Sequence, residues 1–469
     1  MKAITTAQMR ALDERTIAAG TPASELMERA GAAVAQRALK MLRAANSPSV
    51  LLLAGKGNNG GDAVVAARHL EAVGCRATVV APVEATATLL RDTKPGLIVD
   101  GLLGTGLTGG VREPFTAAIR FINESRLPVL AIDLPSGLDG DTGQPHGSAV
   151  HADVTLTIGL PKIGLLRAPD HVGVLEVADI GFPSEFVAEI PADVELLTPS
   201  DVAALLPARR RDAHKGDFGH LLIIAGSEGY TGAAVLCAHA AVRSGAGLVT
   251  LAVPRDVYSM VAAQCPPEVM TRPLDRLGPW DQFNAVALGP GLGQTDAVQR
   301  QVWNWLDSCR QPLVVDADGL NALARNFALL NHVNVPLVLS PHPGEMGRLI
   351  SQTADTIQAR RWDVAREFAK NNRLTLVLKG AGTVVAANSG PLWINPTGNP
   401  GMAKGGMGDA LTGIIGALLA QGLKPFDAAR AGVYVHGLAG DLAAERTGER
   451  GLLASDLIAA LGTTFAGLD

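Results

Sequence analysis

Apolar residues recur along the chain in two patterns, and the elements they predict alternate in a regular order. A short helical pattern that includes Ile17 opens the chain, and a longer one extends from Leu26 to Leu42 with Pro22 near its start. From Val50 onward, short runs of leucine and β-branched residues alternate with helical segments. This alternation predicts an α/β protein whose parallel sheets are covered by helices on both faces.

The predicted elements form two series. The strands of the first series are Val50–Ala54, Ala77–Ala81, Leu97–Val99 and Val129–Ile132. Those of the second are Leu221–Ala225, Leu248–Val253, Ala285–Leu288, Leu313–Val315, Leu337–Leu339 and Leu374–Leu378, with helices at about 232–244, 356–371 and 409–421. Between the series the pattern weakens, prolines accumulate, and Arg209, Arg210 and Arg211 form a basic cluster that is typical of a solvated linker. We therefore predict two different α/β domains, residues 1–193 and 194–469.

Composition narrows the classes of function. Hydrophobic residues make up 47% of the 469 residues, which is enough for sizeable cores. Aromatic residues make up only 4% and the net charge is −5, so a nucleic-acid binder is disfavoured. The longest apolar stretch, Ala410–Leu423, is too short to cross a bilayer and predicts a buried helix. With no apolar segment at the N-terminus and four scattered cysteines, we expect a cytoplasmic protein with buried thiols and no membrane partner.

A glycine-rich segment, Gly55–Asp62, lies between a predicted strand and a predicted helix. Glycines let main-chain N–H groups approach a phosphate, and the start of a helix favours negative charge. The segment matches neither the dinucleotide fingerprint nor the P-loop. A tight turn is the alternative, but a tight turn needs fewer glycines, so the segment favours phosphate or nucleotide binding.

Hard oxygen donors follow the next strands of the first half. Asp100 and Asp133 each come directly after an apolar strand, and Asn59 and Ser136 lie in adjacent loops. The carboxyl ends of parallel strands meet at one edge of a sheet, where ligands bind. These oxygens suit a cation, or a carboxylate that acts as acid or base, and the alternative is a set of capping and turn residues.

Four loops of the second half also follow apolar strands: Gly289–Gly293, Asp316–Gly319, Ser340–Glu345 and Lys379–Thr383. His342, between two prolines, is either a structural histidine or part of a site in the sheet crevice. The Lys379–Thr383 segment is either a hairpin turn or a phosphate contact.

The strongest signal is the glycine-rich segment Gly398–Asp409, which continues into the helix predicted to begin at Asp409. Main-chain N–H groups at that helix start can hold the charge that builds on a transferring phosphoryl group. Asp409 is then placed to take a proton from an attacking hydroxyl. The alternative, that Asp409 is only a helix cap, leaves the five glycines before it unexplained.

Several of these motifs resemble known families. The GGMGD loop and its helix look like the anion hole of ribokinase-like kinases. Together with HKGDFGHLLIIAGS, GPGLG, DADGLNAL, SPHPGE and VLKGAGTVV, this loop resembles the ADP/ATP-dependent NAD(P)H-hydrate dehydratases. GKGNNGGD, DGLLGTGLTGG and IDLPSGLDGDTG resemble the NAD(P)H-hydrate epimerase domain. The resemblance covers nearly the whole chain and implies a Rossmann-like α/β/α domain followed by a ribokinase-like α/β/α domain.

The resemblance also implies the chemistry. The epimerase interconverts the R and S forms of NAD(P)H hydrated at the nicotinamide ring, and the dehydratase phosphorylates the C6 hydroxyl of the S form and expels phosphate, which restores NAD(P)H. Asp133 and Asp409 would be the catalytic residues. The hydrate would contact Asn58, Asn59, Gly60, Gly61, Asp62, Gly104, Thr105, Gly106, Leu107, Thr108, Gly109, Gly110 and Asp133 in the first domain, and Ala233, Gly293, His342 and Asp409 in the second.

Cofactors and partners follow from the same resemblance. Potassium would be held by Asn59, Asp100 and Ser136. The adenine nucleotide, ADP in preference to ATP and accompanied by Mg²⁺, would contact Lys379, Gly380, Ala381, Gly382, Thr383 and Gly408. The partners would be small-molecule substrates and further copies of the chain in a homo-oligomer. Two alternatives stay open: a ribokinase-like kinase of small alcohols with a non-catalytic first domain, and a scaffold like that of the RNA-decapping proteins.

Overall fold

The chain divides into two compact α/β units. The computed structural model describes residues 1–45, 47–107 and 109–469, so Thr108 of the expected substrate loop lies outside the described residues. Contacts group the described residues into Met1–Val194 and Glu195–Asp469. The assignment of one activity to residues 1–193 and the other to residues 194–469 stays a prediction.

The first unit is built on a six-stranded parallel sheet of strand order β3-β2-β4-β5-β6-β7. The strands of this sheet are β2 (Ser49–Ala54), β3 (Arg76–Val80), β4 (Leu97–Gly101), β5 (Val129–Ile132), β6 (Val154–Ile158) and β7 (Val174–Ala178), and the unit also contains β1 (Lys2–Ala3), which lies outside it. Its helices are α1 (Thr6–Ala18), α2 (Ala23–Ala44), α3 (Asn58–Ala72), α4 (Ala87–Thr93), α5 (Phe115–Glu124), α6 (Pro169–Val172) and α7 (Ser184–Glu189). Strand β8 (Val194–Leu196) crosses the division between the units.

Both faces of this sheet are buried, as its continuously apolar strands predict. In β2, Val50 and Leu52 pack with α2 and α3, whereas Leu51 and Leu53 pack with α5 on the opposite face. This is the three-layer arrangement expected of a parallel sheet, and it leaves the loops at the carboxyl ends of the strands free to form a site.

The second unit holds a larger mixed sheet, in which the strands run in the order β8-β17-β16-β15-β14-β13-β12-β9-β10-β11. Its strands are β9 (His220–Ile224), β10 (Leu248–Val253), β11 (Val269–Pro273), β12 (Ala285–Leu288), β13 (Leu313–Val315), β14 (Leu337–Leu339), β15 (Thr375–Leu378), β16 (Val384–Ala386) and β17 (Leu392–Ile394). Strands β9 to β15 pair in parallel, and β15, β16 and β17 form an antiparallel meander.

The helices of the second unit cover this sheet. They are α8 (Pro199–Ala203), α9 (Thr231–Arg243), α10 (Tyr258–Gln264), α11 (Asp296–Ser308), α12 (Ala317–Arg325), α13 (Pro343–Ile350), α14 (Ala354–Ala359), α15 (Arg361–Asn372), α16 (Met407–Ala420), α17 (Pro425–Thr447) and α18 (Ala454–Ala466). Nearly every residue of α16 is buried, which confirms the buried helix predicted from its apolar sequence. Gly413 lets α16 approach α9, because a Cβ there would lie 2.1 Å from the Cys237 carbonyl oxygen.

Some sequence expectations were wrong in detail. Ile17 is exposed, and the buried face of α1 is formed by Met9, Leu12 and Thr16, because position 17 lies off the stripe that those three share. The single helix predicted at 356–371 is two helices, α14 and α15, that meet at Arg360. Strands β6, β7, β11 and β17 and the very short strands β1 and β8 were missed.

Arg209, from the expected linker cluster, is exposed but not free. Its guanidinium lies 4.0 Å from the ring centroid of Phe218 and donates to the Gly245 carbonyl at 2.7 Å. The four cysteines are unpaired, and Cys75, Cys237 and Cys309 are buried. Among the described residues, no helix combines the length and the apolarity needed to cross a membrane.

Candidate active sites

The glycine-rich segment Gly55–Asp62 forms the turn from β2 into α3. Helix α3 begins at Asn58, and its preceding residue, Gly57, makes no side-chain cap. A Cβ at Gly60 would lie 1.9 Å from the Gly55 carbonyl oxygen, so this turn closes only with glycine. The first N–H groups of α3 therefore remain available to a ligand, as the sequence led us to expect.

Asp100 and Ser136 meet at the carboxyl ends of β4 and β5. Ser136 donates to both carboxylate oxygens of Asp100, from Oγ at 2.6 Å and from its main-chain N–H at 2.8 Å. The main chain of Leu103 also bonds Ser136 Oγ at 2.9 Å. Asp100 is completely buried, and burial raises its pKa to about 6 even though these hydrogen bonds oppose the shift.

Asn59 points to the same place from α3. Its Nδ2 donates to the carbonyl oxygens of Ile132 at 2.7 Å and Leu103 at 3.2 Å. A Cβ at Gly104 would lie 2.4 Å from Asn59 Oδ1, so the loop after β4 passes directly over this amide. Three expected metal-site residues, Asn59, Asp100 and Ser136, are thus brought together. Their oxygens, with one fully buried carboxylate that has no cationic partner among the described residues, fit a monovalent cation chemically.

Asp133 lies beside this cluster in a conformation that non-glycine residues rarely adopt, with φ of +65°. Its Oδ1 accepts from the Lys162 ammonium, from Thr157 Oγ1 at 3.2 Å and from the Ile158 N–H at 3.0 Å. Lys162 is 1% exposed, and the bridge between Ile4 and Lys162 fixes its main chain. Asp133 is therefore part of a buried ion pair rather than a turn residue.

Two more carboxyl groups surround that ion pair. Asp62 is 6% exposed, and its pKa is raised to about 7, chiefly by burial and further by the charges of Asp133 and Asp13. Burial likewise raises the pKa of Asp13, on α1, to about 6. Sequence reasoning missed Asp13 and Lys162; the signal available for Lys162 was a single cation within the apolar segment 158–166.

The remaining residues of the expected hydrate site lie on two segments of the first unit. Asn58 and Gly61 belong to the first turn of α3. The others lie on the loop that follows β4: Gly104, Thr105, Gly106, Leu107, Gly109 and Gly110. Within this loop the Leu107 N–H donates to the Gly104 carbonyl oxygen at 3.2 Å.

In the second unit, four of the predicted loops meet where parallel strands end. Lys379, after β15, donates from Nζ to Asp316 Oδ1 at 2.6 Å, and Asp316 follows β13. Thr412 of α16 donates to the other Asp316 oxygen at 2.7 Å. Glu345, in the first turn of α13 after β14, lies 3.6 Å from the Lys379 ammonium. Burial alone would lower the pKa of Lys379, but the two carboxylates outweigh it and raise the pKa.

The start of α16 lies on this cluster. Gly406, with φ of +92°, precedes the helix, so α16 begins at Met407 and not at Asp409 as predicted. A Cβ at Gly408 would be 3.4 Å from Lys379 Nζ. Asp409 lies in the first turn and is not the cap. Its pKa is raised to about 6, first by burial and then by the charge of Asp316.

His342 caps helix α13. Its Nδ1 accepts from the Gly344 N–H at 3.0 Å, and its own N–H donates to Glu345 Oε2 at 2.8 Å. The imidazole is about half exposed. Its partial burial lowers its pKa, which favours the neutral form. The residue thus has a structural role and still presents an accessible ring beside the Lys379 cluster.

The Lys379–Thr383 segment is the turn between β15 and β16, and one arginine braces it. Arg361 donates to the carbonyl oxygens of Ala381 at 2.7 Å, Leu378 at 3.1 Å and Gly382 at 3.4 Å. Thr383 Oγ1 closes the turn on the Gly380 carbonyl at 2.9 Å. Arg361 gave no signal in the sequence, because it lies on a different element from the turn it holds.

Ala233 and Gly293 approach from the ends of α9 and β12. A Cβ at Gly291 would be 3.0 Å from Ala233 Cβ, which places the GPGLG loop against the first turn of α9. Gly293 donates its N–H to Asp318 Oδ2 at 2.8 Å. The loops after β12 and β13 are therefore connected directly.

Comparison with known proteins gives the family. A family model described as NAD(P)H-hydrate dehydratase matches residues 221–462, and one described as YjeF-related protein N-terminus matches residues 23–92 and 82–164. The chain is 40% identical to the bifunctional NAD(P)H-hydrate repair enzyme of Moorella thermoacetica, over 98% of this chain and 95% of that one. It is 39% identical to the enzyme of the same description from Escherichia coli, over 93% and 88%.

Solved structures match the second unit. The ADP/ATP-dependent NAD(P)H-hydrate dehydratase of Bacillus subtilis, co-crystallised with ATP and Mg²⁺, is 32% identical, with a TM-score of 0.52 over 58% of this chain and 98% of that one. A ribokinase-like superfamily protein of Enterococcus faecalis is 28% identical, with a TM-score of 0.53 over 59% of this chain and 96% of that one. These matches confirm the predicted α/β class and its ribokinase-like part and do not favour the kinase alternative. The chain belongs to the family of bifunctional NAD(P)H-hydrate repair enzymes.

Proposed function

We propose that the second unit restores NAD(P)H from its S hydrate at the expense of a nucleotide. Asp409 takes the proton of the C6 hydroxyl, and the hydroxyl oxygen attacks the terminal phosphoryl group of the nucleotide. Phosphate then leaves C6 as a proton leaves C5, which regenerates the ring double bond. Main-chain N–H groups at the start of α16 stabilise the charge of the transferring group.

One observation carries this proposal: Asp409 lies in the first turn of α16, directly beside the buried Lys379–Asp316 pair. A half-buried carboxyl with a pKa near 6 is largely ionised at neutral pH and ready to accept a proton. Ala233 at the start of α9, Gly293 after β12 and His342 at the start of α13 would hold the hydrate.

The nucleotide would bind along the Lys379–Thr383 turn, with Gly408 close to its terminal phosphate. Mg²⁺ accompanying the nucleotide would neutralise phosphate charge. We propose ADP as the preferred donor. A shorter donor requires its adenosine about one phosphate closer to α16, and the Lys379–Thr383 turn would set that distance. Measuring kcat/KM for ADP and for ATP tests this choice, and a clear preference for ATP would refute it.

In the first unit we propose epimerisation of the two hydrates, with Asp133 at the reacting end and the loops 58–62 and 104–110 around the substrate. Asn59, Asp100 and Ser136 would hold potassium, whose charge would compensate the buried Asp100 carboxylate. The donor set supports this, because every side chain in it offers oxygen and one is a buried carboxylate without a cationic partner in the described part of the chain.

Product analysis tests the proposed function against the kinase alternative. With S hydrate and ADP, we expect NAD(P)H, AMP and phosphate in equal amounts. A stable phosphorylated product without NAD(P)H would support the alternative instead. The homo-oligomer and the cytoplasmic location implied by the sequence stay predictions, and sedimentation velocity measures the first of them.

A further inference from the structure

The first unit contains a cluster of acidic groups around its buried ion pair. Asp13, Asp62 and Asp133 surround a single buried ammonium, that of Lys162. With all three carboxylates ionised, this buried cluster would carry a net charge of about −2, so holding a proton on one carboxyl lowers the repulsion.

Asp133 is poorly suited to hold that proton on its bonded oxygen. Its Oδ1 already accepts from Lys162, Thr157 and Ile158, and these donors stabilise the charged form of the carboxylate. A proton on Oδ1 would have to displace one of them, at the cost of a buried donor left without a partner.

Among the described residues, Asp62 is buried as deeply as Asp133 but lacks such donors. It is almost completely buried, yet within the described parts of the chain its carboxyl makes no hydrogen bond. Its acid form therefore loses no interaction, and its charged form has no donor to compensate for burial. The pKa near 7 that follows makes both forms available at neutral pH, which general acid–base catalysis requires.

We propose that Asp62 is the group that moves the proton during epimerisation and that Lys162 is a positioning residue that holds the Asp133 carboxylate in place. This assignment rests on the proposed epimerase function. It gives the two aspartates of the site different tasks.

The chemistry balances with Asp62 as the only side chain that carries a proton. The C6 hydroxyl stands on a carbon bonded to the ring nitrogen. Asp62 donates its proton to that hydroxyl, the C6–O bond breaks, water leaves, and the nitrogen lone pair forms a C6=N1 iminium. Water then adds to the other face of C6 and releases a proton to the solvent, and Asp62 regains a proton from the solvent. The ionised Asp133 stabilises the cationic intermediate electrostatically.

The test follows R-to-S exchange in the full chain from pH 5 to 9, after subtraction of the rate in buffer alone. Because the acid form of Asp62 starts the reaction, we expect the wild-type rate to fall as the pH rises through about 7. Asp62→Asn should lose about 10²-fold or more. Asp92→Asn, the same change at an exposed site on α4, is the matched control and should behave as wild type.

Two further variants move the pH midpoint in opposite directions. The Lys162 charge lowers the pKa of Asp62 and the Asp13 charge raises it. Lys162→Met should therefore shift the midpoint upward, and Asp13→Asn should shift it downward while exchange continues. A purely structural role for these residues would change the rate without moving the midpoint in opposite senses.

Dehydration of pure S hydrate checks that the second unit of each variant is intact, and thermal unfolding of the full chain followed by circular dichroism checks that the first unit is folded as in the wild type. Wild-type exchange in Asp62→Asn, or a midpoint that neither Lys162→Met nor Asp13→Asn moves, would overturn the assignment of Asp62. A wild-type chain that did not accelerate exchange at all would overturn the proposed epimerase function, and the assignment with it.

Discussion

Lys379 and Asp316 form a buried ion pair, 2.6 Å between Nζ and Oδ1, that joins the ends of β15 and β13 under the first turn of α16. Thr412 of α16 occupies the second Asp316 oxygen, so strands and helix are fixed to one another. Lys379 keeps its charge at all moderate pH values because its pKa is raised, whereas Asp409 titrates near pH 6. The site therefore combines a permanent cation with a carboxyl that exchanges protons.

Replacing Asp409 by Asn should stop dehydration selectively. Without a base the C6 hydroxyl must attack while still protonated, which costs about 10²–10⁴ in rate. Nucleotide affinity should persist, and R-to-S exchange in the first unit should continue. The control is Asp281→Asn, an identical change at an exposed position of the second unit. Near-normal dehydratase turnover in Asp409→Asn would show that another group is the base.

The pH profile of dehydration should follow Asp409. Its ionised form is the base, so kcat/KM should rise with pH through about 6 and then level off. The shift arises from burial and from the charge of Asp316, both of which disfavour the anion. A profile that stays flat between pH 5 and 8 in the wild type would contradict this assignment.

Arg361 should affect nucleotide binding without touching the chemistry. Its guanidinium donates to two carbonyl oxygens of the Lys379–Thr383 turn and to that of Leu378 at the end of β15, and charged hydrogen bonds of this kind contribute about 1.5–3 kcal/mol. We expect Arg361→Met to raise the KM for the nucleotide roughly tenfold, since tenfold corresponds to about 1.4 kcal/mol, with kcat little changed. Arg360→Met is the neighbouring control, because Arg360 makes only loose ion pairs with exposed carboxylates. An equal rise in KM in both variants would remove the specific role.

A fragment of residues 194–469 should fold and dehydrate S hydrate by itself. It contains its own sheet and a core built from α9, α16, α17 and α18 around β9 and β12. Circular dichroism and turnover of the fragment, compared with the full chain, check this expectation. Failure to fold, with the boundary moved by about ten residues in either direction, would refute independent folding.

A site residue could be predicted from the sequence when it lies in a motif directly after a predicted strand. Asp100, Asp316 and Lys379 were recognisable because each follows an apolar strand, and parallel strands end at one edge of the sheet. Lys162, Asp13 and Arg361 were not, since each reaches the site from an element with no motif of its own. The start of α16 was misplaced by two residues because the left-handed Gly406, and not the acidic Asp409, ends the preceding loop.

The short strand β17 was missed because its surroundings are typical of a loop. Its three residues, Leu392–Ile394, lie between Gly390-Pro391 and Asn395-Pro396, which are turn signals. Strand β17 pairs with β16, and β16 pairs with β15 to form the hairpin whose turn is Lys379–Thr383. The hairpin turn was therefore visible in the sequence, whereas the outer strand of the meander was not.

The most direct test of one chain with two activities is a time course with a mixture of R and S hydrates, ADP and Mg²⁺, in which restored NAD(P)H is measured by its near-ultraviolet absorbance. We predict that the wild-type chain converts the whole mixture to NAD(P)H much faster than the epimers exchange in buffer. Recovery that stops once the S form is consumed, and then proceeds only at the uncatalysed exchange rate, would contradict the account.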